Sequence, residues 1–389
     1  MRLLPIAFFI SQMIRKSLPN RVFVVGPLPP PVQGASVITQ QVIELLQSRA
    51  VDVVAVNVSP TVLTRNWRWH ASRASAYLRC CCTLMRAPRR SKVYLSLSGG
   101  YGLAYDSLVA MITRLKAHHL TLHHHSFNYI TRWRWAFACL LRAAPSHQTH
   151  IVLCKEMQVG IERRYRRRLT AVPASNFNFF RDETEQPAPR SELRRVGFLS
   201  NITMEKGIDR FLDLAEQLAA SGIEAHIAGP VAAPELKAYI EERMRALGNV
   251  KYLGPLFGPE KHEFYRNIDL FVLPSRYVNE AEPLVVYEAM AAGLPVAVTA
   301  RGCLCEFADK PFVIVMDRDA ADLGPVVLRV EQWIKDRPLF EQASIAVLEH
   351  MKAMREDRSP QLGALLSAIT SSADRENRGV GAYPRRVAG

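Results

Sequence analysis

Short apolar runs alternate along the chain with longer amphipathic stretches. RVFVVG (Arg21–Gly26), Val53–Val56, KVYLSL (Lys92–Leu97) and HLTLHH (His119–His124) are brief, largely apolar and often β-branched, the pattern of strands buried on both faces of a parallel sheet. A helical period predicts helices over Ala35–Gln47 and Tyr105–Lys116, and His150–Cys154 reads as a further strand. Arg181–Glu192 is polar, contains two prolines and has no period, so it predicts a linker between domains. Beyond it the alternation restarts. Strands are expected at Arg195–Ser200, Glu224–Gly229, Val250–Leu253, Ile268–Pro274, Pro295–Thr299 and Pro311–Met316. Helices are expected over Ile208–Ala220, Glu235–Leu247, Pro283–Gly293, Ala320–Lys335 and Leu339–Arg355. The reading is an α/β protein with two doubly wound domains facing a cleft. Its parts are a leader at 1–20, a first domain at 21–182, a linker at 183–192, a second domain at 193–355 and a polar, partly disordered tail at 356–389. In such sheets ligands bind beyond the carboxyl ends of the strands, so residues just after strands are the ones to inspect.

Charge divides the chain in the same place. Residues 1–190 carry 26 Lys+Arg and 8 Asp+Glu, and residues 191–389 carry 24 and 28, so +18 and −4 make up the total of +14. A basic first half suggests an anionic partner: nucleic acid, a phospholipid surface or an anionic glycan. No recognition module accompanies the basic segment IERRYRRR (Ile161–Arg168), expected on a helix, so nucleic acid is set aside. The 389 residues contain no apolar run long enough to span a bilayer. Met1–Asn20 opens with an apolar stretch, Leu3–Ile10, that lacks the flanks of a cleaved signal; it is a leader that could rest on a membrane. The seven cysteines are odd in number, three of them adjacent, and read as reduced thiols of a cytosolic protein.

Five segments carry candidate chemistry. Gly26–Gly34 joins the first strand to the first helix, where Gly34 either lets a ligand approach the backbone or simply turns the chain. His123, His124 and His125 end a strand. Adjacent strand residues face opposite ways, which disfavours one shared metal ion and leaves a hydrogen-bonding role in a cleft or a structural one. The arginines of Ile161–Arg168 are either solvated or an anionic contact. In SNITMEKG (Ser200–Gly207), Lys206 precedes a helix, where an ammonium group and helix amides can jointly hold a diphosphate. NEAEPLVVYEAMAAGLPV (Asn279–Val296) places Glu280 in a loop and Glu288 on the next helix; a carboxylate there can accept two ribose hydroxyls, and the amides of Leu284 and Val285 suit phosphate.

Together with DLFVLPS (Asp269–Ser275) and EKG (Glu205–Gly207), the order and spacing of this last segment resemble glycosyltransferases of the GT-B fold, most closely the retaining family 4 type. The resemblance spans about Arg21 to Arg355 and is sharpest in the second half. It implies that Glu288 binds the ribose of a nucleotide-sugar, Glu280 touches the donor sugar, and Lys206 neutralises the diphosphate whose oxygens the Leu284 and Val285 amides hold. It further implies that Gly34 lets the first-domain loop approach the donor and that His123 hydrogen-bonds the sugar near its reacting carbon. Gly229 and Leu253–Gly254 would line the base pocket. Two departures stand out. Ser200 and Asn201 occupy the donor-side region where the family often has an arginine, and Glu282 stands where it often has an aromatic residue.

The implied reaction is sugar transfer with retention of anomeric configuration. Lys206 and the helix N-terminus would stabilise the departing nucleoside diphosphate, a donor phosphate oxygen would deprotonate the incoming hydroxyl, and domain closure would exclude water. No metal and no cofactor is expected, the nucleotide-sugar being a substrate. The acceptor is expected to be a glycan or lipid-linked, in bacterial cell-surface polysaccharide synthesis, with the enzyme cytoplasmic and possible contact between its basic half and the inner membrane face. A nucleotide-sugar epimerase of the same fold and a non-catalytic nucleotide-sugar-binding protein are the alternatives.

Overall fold

A computed structural model of the protein describes residues 21–30, 34–60, 66–180, 187–231 and 233–371; the leader at 1–20, part of the linker and the end of the tail lie outside them. Two six-stranded parallel sheets make up its frame. The first contains β1 (Arg21–Gly26), β2 (Asp52–Asn57), β3 (Lys92–Ser96), β4 (His119–His123), β5 (Gln148–Val152) and β6 (Thr170–Pro173) in the order β2-β1-β3-β4-β5-β6. The second contains β7 (Arg195–Leu199), β8 (Glu224–Ala228), β9 (Val250–Tyr252), β10 (Leu270–Leu273), β11 (Val296–Thr299) and β12 (Val313–Met316) in the order β12-β11-β10-β7-β8-β9. The pairings are parallel, and the interiors of the central strands are buried on both faces, which is why they read as apolar runs rather than as alternating ones, while the edge strand β2 is only partly covered.

The first domain's helices are α1 (Gly34–Ser48), α2 (Trp67–Arg86), α3 (Gly102–Leu115), the single turn α4 (Asn128–Thr131), α5 (Trp135–Ala143) and α6 (Lys155–Tyr165). The second domain's are α7 (Ile208–Leu218), α8 (Pro234–Leu247), α9 (Pro259–Arg266), α10 (Leu284–Ala291) and α11 (Gly324–Lys335). A last helix, α12 (Arg337–Thr370), returns to the first domain. Its Leu365 and Ile369 are buried beside Val22, Val24 and Tyr94, and the Thr121 hydroxyl donates to the Ala368 carbonyl.

Several expectations need correction. The tail does not begin at 356, because α12 runs on through Pro360 to Thr370, with apolar residues still landing on the first-domain core. The helix expected over Ile161–Arg168 stops at Tyr165; Arg166 takes a left-handed conformation (φ 50°), so Arg166–Arg168 lie beyond it. The strand expected at His150–Cys154 runs instead over Gln148–Val152. Helices α2, α5 and α9 had no counterpart in the pattern reading. Nor are all the cysteines reduced: Cys154, just after β5, is disulfide-bonded to Cys303, just after β11, 149 positions away. Only the apposition of the two domains brings this pair together.

Candidate functional site

The site builds from the carboxyl ends of neighbouring strands in the second sheet. β7 and β10 are adjacent, so the segments following them meet. After β7, the Thr203 hydroxyl accepts from the Lys206 amide and closes a short 3-10 turn, Met204–Lys206. Gly207 ends that turn at φ 84°, and a Cβ there would lie 2.0 Å from the Pro274 carbonyl oxygen at the end of β10. The EKG and DLFVLPS segments are thus packed backbone on backbone, which only glycine allows.

This packing delivers Lys206 to Glu280. Its ammonium lies 2.6 Å from Glu280 Oε2, and the Ser275 hydroxyl donates to the same oxygen at 2.8 Å. Glu280 is 8 % exposed, and the Lys206 ammonium also lies over the Tyr277 ring. Both contacts fall on Oε2, which leaves Oε1 for a ligand hydroxyl. Four residues further on, α10 begins at Leu284, so the amides of Leu284 and Val285 belong to its first turn and have no acceptor within the helix. Glu288 lies one turn deeper, in its own cluster: the Lys261 ammonium is 2.6 Å from Oε2, and the Tyr265 hydroxyl donates to Oε2 at 2.8 Å. Lys261 and Tyr265, four apart on α9, were not foreseen; that i,i+4 spacing was the available signal.

Gly229, Leu253 and Gly254 come together at the ends of β8 and β9. The Gly229 amide donates to the Gly254 carbonyl, and the Tyr252 hydroxyl donates to the Gly229 carbonyl. Gly229 has φ 126°, and a Cβ there would meet the Ser200 carbonyl oxygen at 1.8 Å, so Ser200 borders the same group. Asn201 is exposed beside it. Gly34 opens α1, is exposed, and has open space where a Cβ would go, so nothing among the described residues requires glycine there.

Of the three histidines, His124 is internal, bonded to Tyr129 and His150. His123 is fully buried at the end of β4, with Nδ1 2.6 Å from the Tyr94 hydroxyl and Nε2 buried without a partner among the described residues. Burial, chiefly, pushes its pKa well below the ordinary 6.5, and pushes that of Tyr94 up. The pair is a protonated phenol beside a neutral imidazole; in the tautomer whose Nδ1 accepts from the phenol, the ring proton sits on Nε2. His125 is half-buried, its pKa lowered by desolvation to about 4. The domains touch close by, where the Ser126 hydroxyl lies 3.2 Å from Asn279 Oδ1.

Glu282 faces the interdomain seam. Its carboxylate accepts from the Ser175 hydroxyl, the Asn176 amide and the Tyr287 hydroxyl, at the segment that leads out of β6. A second tie lies alongside, where Glu306 accepts from the Lys155 and Glu156 amides at the start of α6, next to the Cys154–Cys303 bond. Desolvation raises the pKa of Glu282 from 4.5 to about 7. The folded state therefore holds this proton more tightly than the unfolded chain, and the stability it contributes is present below pH 4.5 and lost as pH rises through 7. Across that window the loss amounts to about 3 kcal/mol at most. Urea denaturation of the wild type and Glu282→Gln between pH 5 and 8 should show a fall in the wild type that the variant lacks; parallel profiles would contradict it.

Among the described residues, no group of three His, Cys, Asp or Glu side chains could hold a metal ion. Asp317 and Asp319, two apart after β12, are engaged locally: Asp317 accepts from the amides of Asp319, Ala321 and Asp322, and Asp319 pairs with Arg301.

Comparison with known proteins agrees with this architecture. A family model described as glycosyl transferases group 1 matches residues 179–347, nearly all of the second domain. An uncharacterized glycosyltransferase of Methanocaldococcus jannaschii is 33% identical over 122 residues, and the match spans 30% of each chain. HepE of Anabaena, solved in complex with UDP, superposes with a TM-score of 0.67 at 14% identity, covering 90% of this chain and 99% of HepE. Sucrose-phosphate synthase of Thermosynechococcus elongatus superposes with a TM-score of 0.66 at 14% identity, covering 89% and 98%. The two facing parallel sheets have the GT-B architecture of these solved glycosyltransferases. Its second domain is the part that resembles the glycosyl transferases group 1 family.

Proposed function

We propose that the protein transfers a sugar from a nucleoside diphosphate donor, with retention of configuration, to a glycan or lipid-linked acceptor in bacterial cell-surface polysaccharide synthesis. The observation that carries this reading is the Lys206–Glu280–Ser275 cluster at the foot of α10. A diphosphate entering there meets an ammonium group and first-turn amides, which stabilise the charge that grows on the leaving group. Glu280 keeps one oxygen on Lys206 and offers the other to the sugar. Glu288, oriented by Lys261 and Tyr265, accepts the ribose hydroxyls, and the Gly229 and Leu253–Gly254 corner flanks the base. His123 Nε2, buried and without a partner among the described residues, donates its proton to a hydrogen bond with the sugar near its reacting carbon. Retention follows if the attacking hydroxyl gives its proton to a donor phosphate oxygen on the face the nucleotide leaves. Lys206 and the amides supply the positive potential, so turnover should persist in EDTA.

A panel of nucleotide-sugars tested by thermal shift checks the donor site. A ligand present at about 100 times its Kd stabilises the fold by about 2.7 kcal/mol. The expected result is stabilisation by one nucleoside diphosphate sugar, lost in Glu288→Ala, and turnover that needs an acceptor. Conversion of the donor without acceptor would make the protein an epimerase, and no shift with any donor would overturn the reading.

A further inference from the structure

The solvent side of one first-domain layer is apolar where water should favour polar residues. Helices α2, α3 and α5 pack side by side on one face of the first sheet. On α3, Ala104, Leu108, Met111 and Leu115 fall on one stripe, and all four are exposed. On α2 the outward stripe is Ala71, Ala74, Leu78, Cys82 and Met85, with Leu78 66% exposed. On α5 it is Trp135 and Cys139, with Trp135 64% exposed. A helix in contact with water on one side carries polar residues there, and contiguous apolar patches on that scale mark interaction surfaces.

Charge identifies the partner. The three helices contain a single acidic residue, Asp106, and it is buried against Tyr77 and Ser98. Exposed arginines border the stripes: Arg68, Arg79 and Arg86 on α2, Arg114 on α3 and Arg142 on α5. At the foot of α3 and α5 the face ends in a hollow of about 470 Å³ lined by Arg114, Arg142, Arg167, His118, His119 and His147, with no carboxylate among its lining residues. Two of these guanidiniums are steadied by backbone carbonyls, Arg114 by Arg142 and Arg167 by Leu141. At the other end the exposed rings of Trp67, Tyr101 and Trp135 mark the starts of the same helices, which is the end of the sheet that faces the cleft. Apolar side chains ringed by arginine, with tryptophan at the margin, match the interface of an anionic bilayer.

We propose that the outer face of α2, α3 and α5 rests on an anionic phospholipid membrane, with the basic hollow accepting lipid phosphate and the aromatic end holding the cleft mouth at the surface. This deepens the lipid-linked side of the proposed function, yet it is measured without donor. Failure of vesicle binding therefore leaves donor turnover standing, and the reverse holds too.

The test is cosedimentation of the full chain with vesicles of phosphatidylcholine alone or mixed with phosphatidylglycerol. The expected result is binding to the anionic vesicles at low salt that weakens at 0.5 M salt, as screening of surface charge requires. Leu108→Asp with Leu115→Asp, and separately Arg79→Glu with Arg142→Glu, should each weaken binding at least tenfold with an unchanged melting temperature. Lys237→Glu, on α8 of the second domain, should leave it unchanged. Wild-type binding in both double variants would place the contact elsewhere, in the leader for example, and overturn the proposal. So would absence of binding at low salt, or a solution dimer dissolved by the two aspartates, which would make the occupant a second copy.

Discussion

Lys206→Ala is expected to lower kcat/KM for the nucleotide-sugar by about 10²–10³, the usual effect of removing one group that stabilises transition-state charge. Two changes are folded into that variant. The diphosphate loses its cation, and Glu280, 8 % exposed, loses the partner 2.6 Å away. The second change lowers stability because it strands a nearly buried carboxylate. The double variant Lys206→Ala/Glu280→Gln isolates the second: it should recover melting temperature while turnover, which also loses the Glu280 carboxylate, stays low. Recovery of turnover along with stability would show that Lys206 serves only to neutralise Glu280.

Gly207→Ala should cost the fold about 3 kcal/mol or more. A left-handed conformation strains any residue with a Cβ, and here the methyl group would also meet a backbone oxygen at 2.0 Å, an obstacle that no rotamer change removes. Either the turn before α7 or the end of β10 must shift, and both carry site residues. Urea denaturation measures the loss. A change within 0.5 kcal/mol would mean that the two segments are not packed as described.

Much of this frame was legible because central parallel strands buried on both faces leave short apolar runs, and because Lys206 and Glu280 stand in the loops after such runs with Glu288 on the helix that follows. The reading failed where the decisive partner is remote in sequence. Cys154 pairs with a residue 149 positions away, and Glu282 spends its carboxylate on Ser175 and Asn176 across the seam. That contact gives a physical account of why no aromatic residue stands at 282: the position serves the junction between domains. Lys261 and Tyr265 reach Glu288 across 27 and 23 positions. α2 escaped notice for a different reason. With Leu78, Cys82 and Met85 on its wet side and Tyr77, Cys80 and Leu84 on its dry side, apolar residues encircle it and blur the helical period.

The return of α12 bears on how the protein is made. Val22 and Val24, among the first residues of the fold, share a cluster with Leu365 and Ile369, among the last. A ribosome delivering the chain in order leaves that cluster open until Ile369 has been added, although the strands around it could pair much earlier. The nascent first domain should then be sensitive to protease until α12 has emerged. A chain stopped after Arg355 should stay so after release, whereas one stopped after Ser371 should not.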